Sequence, residues 1–183
     1  KELGKEELAK ILKRAEKYSK KLSESARKKV ISTIYCYQGQ VSEKSIIKSH
    51  EKDTGHLITD NNTKFFELEL QSNETRFRII LCGRPDGFDS KRGSVIEIKK
   101  RMNHLFDTIP EYEKIQTMAY MCLTKSDRLN WIQSYNGEIK EEEIKFNKKY
   151  WNTICKNILG KFKRLYDCVQ GDLTTIDSLL QHY

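Results

Sequence analysis

The sequence predicts an α/β fold in which helices flank a mixed β-sheet. Three observations lead to this prediction: helical periodicity at both ends of the chain, strand-like stretches in the middle, and one further helix before the last strand. The predicted order of elements is α–β–β–β–α–β–α, and 183 residues suit a single domain with its own core. We expect an N-terminal helical region over residues 1–38, a core over residues 39–136 and a C-terminal helical region over residues 137–183.

The N-terminal part is predicted to be helical over residues 5–37. Its apolar residues keep a 3.6-residue period, with a break expected where serine recurs at Ser23 and Ser25. Gly39 is expected to end this region, and Ser42 to cap a second helix that runs to about His50.

Three strands are predicted before the central helix. In "FFELELQ", Phe66, Leu68 and Leu70 alternate with their neighbours, which is the pattern of a half-buried strand. Residues 76–83 ("RFRIILCG") form the returning strand, and residues 94–100 ("SVIEIKK") form the third strand after the turn "DSKRG".

A central helix and a fourth strand follow. Pro110 favours a helix start at Glu111, and the apolar residues on one side continue the helix to about Thr124. "RLNWIQSYN" (residues 128–136) is the fourth strand, and Gly137 ends it.

The closing helix is predicted over residues 147–168, with apolar side chains such as Phe162 and Leu165 facing inward. Between residues 145 and 164 the chain carries Lys or Arg at seven positions and no acid. The first 30 residues are also basic, with eleven Lys or Arg against five Glu. Both stretches are consistent either with solvated faces or with surfaces that contact a polyanion.

The composition points to a polyanionic partner. A formal net charge of +8 and a pI of about 9.1 suit nucleic acid, and charge alone also permits an anionic membrane surface. No stretch approaches the roughly 18–20 apolar residues of a membrane span, so we expect no membrane insertion. The five cysteines are scattered and odd in number, which favours free thiols in an intracellular, reducing compartment, be it nucleus, cytoplasm or organelle.

The chemistry is concentrated in "GRPDGFDSKRGSVIEIKKR". Side chains two positions apart in a strand point the same way, so Glu97 and Lys99 share a face while Ile96 and Ile98 take the other. If the chain at Asp86 lies beside this strand, the two carboxylates converge. Two adjacent carboxylates repel unless a cation sits between them, and oxygen ligands favour Mg²⁺ or Mn²⁺.

The pattern "RPDGF…VIEIKK" resembles the signature of the PD-(D/E)XK nuclease superfamily. The predicted order of elements is similar to the restriction-endonuclease-like core of that superfamily, α-β-β-β-α-β with extra helices at both ends here. The pair Gln116–Tyr120 resembles the QxxxY motif of RecB-type nucleases, and Tyr112–Gln116 the related element of lambda-exonuclease/YqaJ-type enzymes. The likeness covers roughly residues 39–136.

This resemblance implies roles for individual residues. It implies a metal site, for Mg²⁺ or Mn²⁺, made by Asp86, Glu97 and the Ile98 carbonyl, and completed by Glu43 directly or through water. It also implies that Lys99 positions or activates the hydrolytic water.

On the predicted central helix, the resemblance implies that Gln116 holds that lysine or a phosphate and that Tyr120 shapes the substrate side. Four further side chains are expected to face nucleic acid: Arg84, Lys100, Arg101 and Tyr112.

The expected activity is metal-dependent hydrolysis of DNA phosphodiester bonds. The combined motifs favour an exonuclease of recombination, repair or replication that leaves 5′-phosphates. An endonuclease acting on branched DNA or on RNA stays open, as do a non-catalytic nucleic-acid-binding module of the same fold and an anionic-membrane binder. Asp89 is expected to be structural, and His50, His56 and His104 to be incidental.

Overall fold

A computed structural model describes residues 5–18, 23–59, 63–70 and 78–170. Its helices are α1 (Lys5–Tyr18), α2 (Glu24–Thr54), α3 (Glu111–Thr124) and α4 (Lys148–Gln170). Its strands are β1 (Ile58–Thr59), β2 (Phe66–Leu70), β3 (Ile79–Gly83), β4 (Gly87–Asp89), β5 (Ser94–Lys100), β6 (Arg128–Tyr135) and β7 (Glu138–Lys145).

The strands form a five-stranded mixed sheet and a separate hairpin. The order in the sheet is β1-β4-β5-β6-β7, while β2 and β3 pair with each other. Only β5 and β6 run parallel among these pairs, and α3 makes the crossover that a parallel connection requires. The mixed α/β fold predicted from the sequence is therefore confirmed, with β5 in the centre of the sheet.

Helices cover both faces of the sheet, and each face has its own apolar core. The core beneath α3, α4 and the β2–β3 hairpin contains Leu70, Ile79, Val95, Met118, Met121, Leu129, Trp131, Trp151 and Ile154. The core beneath α2 is built from isoleucine: Ile46, Ile47, Ile58, Ile96, Ile98 and Ile132. Because β5 is buried on both faces, its alternate residues contribute to both cores.

The predicted bounds of the N-terminal helices are wrong in part. A helix does begin at the expected serines, since the Ser23 side chain accepts a hydrogen bond from the Ala26 N–H. However, α2 continues past Gly39 to a left-handed glycine cap at Gly55, so the boundary at residue 38 falls inside a helix. A mid-helix glycine costs only about 1 kcal/mol, whereas burying one isoleucine such as Ile46 contributes about 1.5–3 kcal/mol.

The predicted strands are present, and α3 and β5 have the predicted bounds. Of the predicted returning strand, residues 76 and 77 lie outside the described residues. Three strands lie outside the predicted order of elements: β1, β4, and β7, which opens the region expected to be helical. The closing helix is also longer than predicted, and its Phe162 and Leu165 are exposed rather than inward.

Two further expectations concern compartment and membrane. Across the described ranges, no helix has the length and apolar character needed to cross a membrane. Cys82, Cys122, Cys155 and Cys168 are free thiols, as expected, while the Cys36 side chain lies outside what the structure describes.

Candidate active site

Strand β5 places an acid and a base on the same face of the sheet. Glu97 Oε1 accepts a hydrogen bond of 2.6 Å from Lys99 Nζ, and both side chains lie on the α3 side. Ile96 and Ile98 point to the other face and pack beneath α2. The alternation predicted from the sequence is therefore confirmed.

Strand β4 brings the second carboxylate to β5. Gly87 pairs with Ile96 in the antiparallel ladder, which places Asp86 at the point where that ladder ends. There the Ile98 N–H donates a 2.7 Å hydrogen bond to Asp86 Oδ2. The N–H and C=O of a strand residue point to the same side, so the Ile98 carbonyl is oriented towards Asp86 as well.

Burial makes ionisation of these two carboxyl groups unfavourable. Glu97 is 3% exposed, and its burial, with the adjacent Asp86 charge next, raises its pKa to about 8. Burial also raises the pKa of Asp86 to about 6, against the hydrogen bond from Ile98. The Glu43 carboxylate acts in the same direction on both groups, so α2 contributes a third acid to this electrostatic cluster.

Lys99 stays protonated in this environment. Its burial is the largest single influence and favours the neutral amine, but the Glu97, Glu113 and Asp86 carboxylates together outweigh burial and raise the Lys99 pKa above its ordinary value. Its Nζ also donates to Gln116 Oε1 at 3.0 Å, so α3 fixes the direction of the ammonium group. Lys99 can therefore act as a fixed positive charge and hydrogen-bond donor rather than as a base.

Gln116 and Tyr120 form the helix face that the sequence predicted. Gln116 Nε2 donates a 3.0 Å hydrogen bond to the Tyr120 hydroxyl, which extends the chain of contacts from Lys99. The Tyr120 ring lies against strand β3, where a Cβ added at Gly83 would lie 2.7 Å from Tyr120 Cε1. A glycine at this position lets the ring lie close to the strand. Tyr112, one turn before Gln116, is exposed.

The basic residues expected to face nucleic acid divide into two groups. Arg84 is exposed, and its charge lies close enough to lower the pKa of Asp86, while Lys100 is partly buried at the end of β5. Arg101 does not fit the expected phosphate contact. Its guanidinium makes a two-bond ion pair with Glu113, at 2.7 and 2.8 Å, and its Nε donates to Gln133.

Glu113 is the residue at this site that the sequence analysis missed. Besides the pair with Arg101, Glu113 accepts a 2.9 Å hydrogen bond from the buried Trp131 indole. The ion pair fixes α3 against the segment that follows β5. One signal was available in the sequence: Glu113 lies four residues before Thr117 and eight before Met121, so it shares a helix face with an apolar residue, and the structure shows that this face is buried.

The residues present fit a divalent cation. Glu97 Oε2 is buried and has no hydrogen-bond partner among the described residues, so one oxygen of this carboxyl group is left unsatisfied. Asp86 and the Ile98 carbonyl supply further oxygen donors of the kind Mg²⁺ and Mn²⁺ prefer. Within the described ranges, no group of three or more His, Cys, Asp or Glu side chains is placed to hold a metal ion, so a backbone oxygen or water must complete such a site.

Two histidines expected to be incidental have specific partners on the α2 side. His56 Nδ1 and Asp89 Oδ2 are 2.9 Å apart, and the buried His50 Nε2 lies 3.0 Å from Glu141 Oε2. Asp89 Oδ1 also accepts the backbone N–H groups of the turn after β4. Asp89 is therefore structural, as predicted, but His50 and His56 belong to this hydrogen-bonded network.

Comparison with known proteins supports the fold. No protein-family model matches the chain, and no curated protein matches it. The crystal structure of a protein named SSO0001 is similar, with 16% identity and a TM-score of 0.55, over 81% of this chain and 70% of that one. At this level of identity, the likeness concerns the fold alone, and it is consistent with the mixed sheet flanked by helices that is described above.

Proposed function

We propose that the protein is a Mg²⁺- or Mn²⁺-dependent nuclease with a restriction-endonuclease-like core, and that it hydrolyses phosphodiester bonds of DNA. The observation that carries the proposal is the Asp86–Glu97–Lys99 cluster. The buried Glu97 and the partly buried Asp86 have raised pKa values and lie beside a protonated lysine, and Glu97 Oε2 has no hydrogen-bond partner among the described residues. Buried groups with strongly shifted pKa values are typical of functional sites.

Each side chain has a definable part in that reaction. Asp86, Glu97 and the Ile98 carbonyl would hold the cation, with Glu43 nearby to add negative charge. The cation, when bound, supplies Lewis-acid activation of water and neutralises charge that develops on the phosphate. Lys99 donates hydrogen bonds to a phosphate oxygen or to the attacking water, and Gln116 keeps its ammonium group in place.

The charge distribution supports a nucleic-acid substrate. The carboxylate cluster would repel a polyanion, but the chain as a whole carries a formal net charge of +8. Arg84 is exposed beside Asp86, and α4 presents exposed lysines such as Lys156 and Lys161. Phosphate contacts of this kind give binding that is independent of sequence and weakened by salt.

The proposal is tested by incubating the purified chain with end-labelled DNA and RNA, single- and double-stranded, linear and circular, with Mg²⁺, Mn²⁺ or EDTA. We expect hydrolysis of DNA that requires the cation and leaves 5′-phosphates. Hydrolysis of linear DNA but not of covalently closed circles identifies an exonuclease. Cleavage of circles identifies an endonuclease, and cleavage confined to RNA contradicts DNA as the substrate.

Variants connect that activity to the site. Glu97→Gln and Lys99→Met should each reduce the rate by roughly 10³-fold or more while the chain still binds DNA. Glu142→Gln, an exposed glutamate on β7, is the matched control and should keep full activity. Undiminished hydrolysis in both site variants would contradict the assignment, and binding without any hydrolysis in the wild type would favour a non-catalytic module.

A further inference from the structure

A pocket lies next to the candidate active site and has no part in the chemistry described above. Its volume is about 170 Å³, and its lining consists of Lys64, Phe66, Pro85, Gly87, Phe88 and Thr124. Pro85 and Gly87 are the chain neighbours of Asp86, and Thr124 lies one helical turn beyond Tyr120. The pocket is therefore bordered by the segment that carries Asp86 and by the helix that carries Gln116 and Tyr120.

The lining combines aromatic rings with a positive charge. Phe88 pairs with Val95 in the sheet and packs against the core beneath α3, so its position is fixed by surrounding side chains. Phe66 begins strand β2 and is only partly buried, which leaves part of it accessible from the pocket. Lys64 Nζ lies 5.2 Å from the centroid of the Phe66 ring, and none of the described residues that line the pocket is acidic.

We propose that this pocket binds an unpaired nucleobase of the nucleotide beside the phosphodiester bond that the site cleaves. Phe66 stacks on the base, and Lys64 contacts the adjacent phosphate. The inference depends on the proposed nuclease function, which it extends by naming the substrate as a single strand or a frayed end.

The preference for a single strand follows from the free energy needed to take a base out of a duplex, which an unpaired base does not require. Aromatic side chains stack on any base, with a contribution of about 1–3 kcal/mol per base. Such a pocket therefore binds a base whatever the nucleotide sequence. A base within a duplex must leave its pair and its stack before it can enter a pocket, which costs a few kcal/mol. The pocket therefore favours strands whose bases are already unpaired.

The first test measures binding rather than activity. In a Glu97→Gln background, which prevents hydrolysis, the affinity for a labelled single strand and for the matching duplex is measured by fluorescence anisotropy. Phe66→Ala should weaken single-strand binding by roughly 5- to 100-fold and leave duplex binding unchanged. Phe65→Ala is the matched control, because Phe65 is 59% exposed, precedes Phe66 and does not line the pocket.

A second variant separates stacking from folding. Phe66→Leu keeps an apolar side chain on β2 but removes the aromatic face, so it should keep the thermal midpoint of the parent and still weaken single-strand binding. If Phe66→Leu binds single strands as tightly as the parent, the stacking role is wrong. Equal losses for single strands and duplexes would also overturn the proposal.

A third test locates the base. In the active protein, an abasic nucleotide is placed at successive positions of a single-stranded substrate. At one position beside the scissile bond, the abasic substitution should slow the wild type and leave Phe66→Ala no slower than before. If hydrolysis occurs and no such position exists, the pocket proposal fails while the nuclease function stands. If the wild type neither binds nor cleaves nucleic acid, both proposals fail.

Discussion

Two glutamates on facing elements, Glu97 on β5 and Glu113 on α3, are equally buried, but their pKa values are shifted in opposite directions. Each is 3% exposed. Burial raises the pKa of Glu97 to about 8, whereas the pKa of Glu113 is lowered despite burial, because Arg101 and the Trp131 indole stabilise its charge. Burial alone therefore does not decide whether a carboxyl group ionises. Glu97 has one charged donor, Lys99, but also the Asp86 and Glu43 carboxylates nearby, whereas the charged groups that act on Glu113 are cationic.

The same contrast occurs between two aspartates three residues apart. Asp89 is fully buried, yet its pKa is lowered against burial by the N–H of Arg92 and by His56. Asp86 accepts a hydrogen bond from the Ile98 N–H, but burial, with Glu43 adding to it, raises its pKa to about 6. The compensated pair, Asp89 and Glu113, stabilises the fold. For Asp86 and Glu97, burial and neighbouring carboxylates outweigh the donors, Lys99 included, and we call these two the uncompensated pair; a cation can neutralise the charge of their ionised forms.

The largest expected difference between the two glutamates is in stability. Glu113→Gln leaves the Arg101 guanidinium buried without a counter-charge, and breaking such a pair typically costs about 3–5 kcal/mol. Glu97→Gln removes a charge that burial disfavours. Lys99 loses its ion-pair partner, but it is 23% exposed and keeps its hydrogen bond to Gln116, so the free energy of unfolding at pH 8 in EDTA should fall much less. Urea unfolding of both variants at that pH measures the difference.

The control for this comparison is the double variant Arg101→Met with Glu113→Gln. Because no unpaired charge remains, it should be more stable than Glu113→Gln alone. Equal destabilisation by Glu97→Gln and Glu113→Gln would show that the two carboxylates are equivalent, which would contradict the comparison.

The second prediction concerns the pH dependence of stability without metal. The folded-state pKa of Glu97, about 8, exceeds its ordinary value of 4.5, and that of Asp86, about 6, exceeds 3.8. Between those values the folded chain binds more protons than the unfolded chain, so the free energy of unfolding falls as pH rises. We expect a loss on the order of 2–4 kcal/mol between pH 5.5 and 8 in EDTA.

Glu97→Gln should flatten this dependence of the free energy of unfolding on pH. At pH 8, added Mg²⁺ should raise the free energy of unfolding of the wild type, and should raise that of the variant much less. Asp89 and Glu113 act in the opposite direction, because their lowered pKa values add stability as pH rises, but only below the chosen window. A wild-type profile that is flat from pH 5.5 to 8 in EDTA would contradict the raised pKa values.

The sequence predicted the uncompensated residues better than the compensated ones. Strand alternation is enough to place Glu97 and Lys99 on one face of β5, and helical spacing is enough to place Gln116 beside Tyr120. Neither strand alternation nor helical spacing predicts the ion-pair partner of Arg101, because Glu113 is twelve residues away and lies on another element. The run of basic residues at the end of β5 predicts a phosphate-facing surface, whereas the structure places one of them, Arg101, in an ion pair with Glu113.

The missed strands have physical reasons as well. Strand β4 is only three residues long and lies in a stretch rich in turn residues, so its extended conformation depends on pairing with β5. Strand β7 is a charged edge strand, "EIKEEEIK", whose Ile139 and Ile144 are five positions apart and so lack the period-two pattern of a half-buried strand. Its conformation follows from its eight-residue pairing with β6.

The smallest expected effect comes from the residue that links α3 to the uncompensated pair. Gln116 accepts from Lys99 and donates to Tyr120, and it carries no charge of its own. In the proposed nuclease, Gln116→Leu should lower kcat by roughly 10-fold with little change in KM, because it frees the Lys99 ammonium without removing it. Tyr120→Phe is the matched variant, and its effect should be smaller since the contact between Lys99 and Gln116 remains. Single-turnover hydrolysis of a labelled DNA strand measures both. If the loss for Gln116→Leu appears in KM alone, Gln116 contacts the substrate directly and does not act by positioning Lys99.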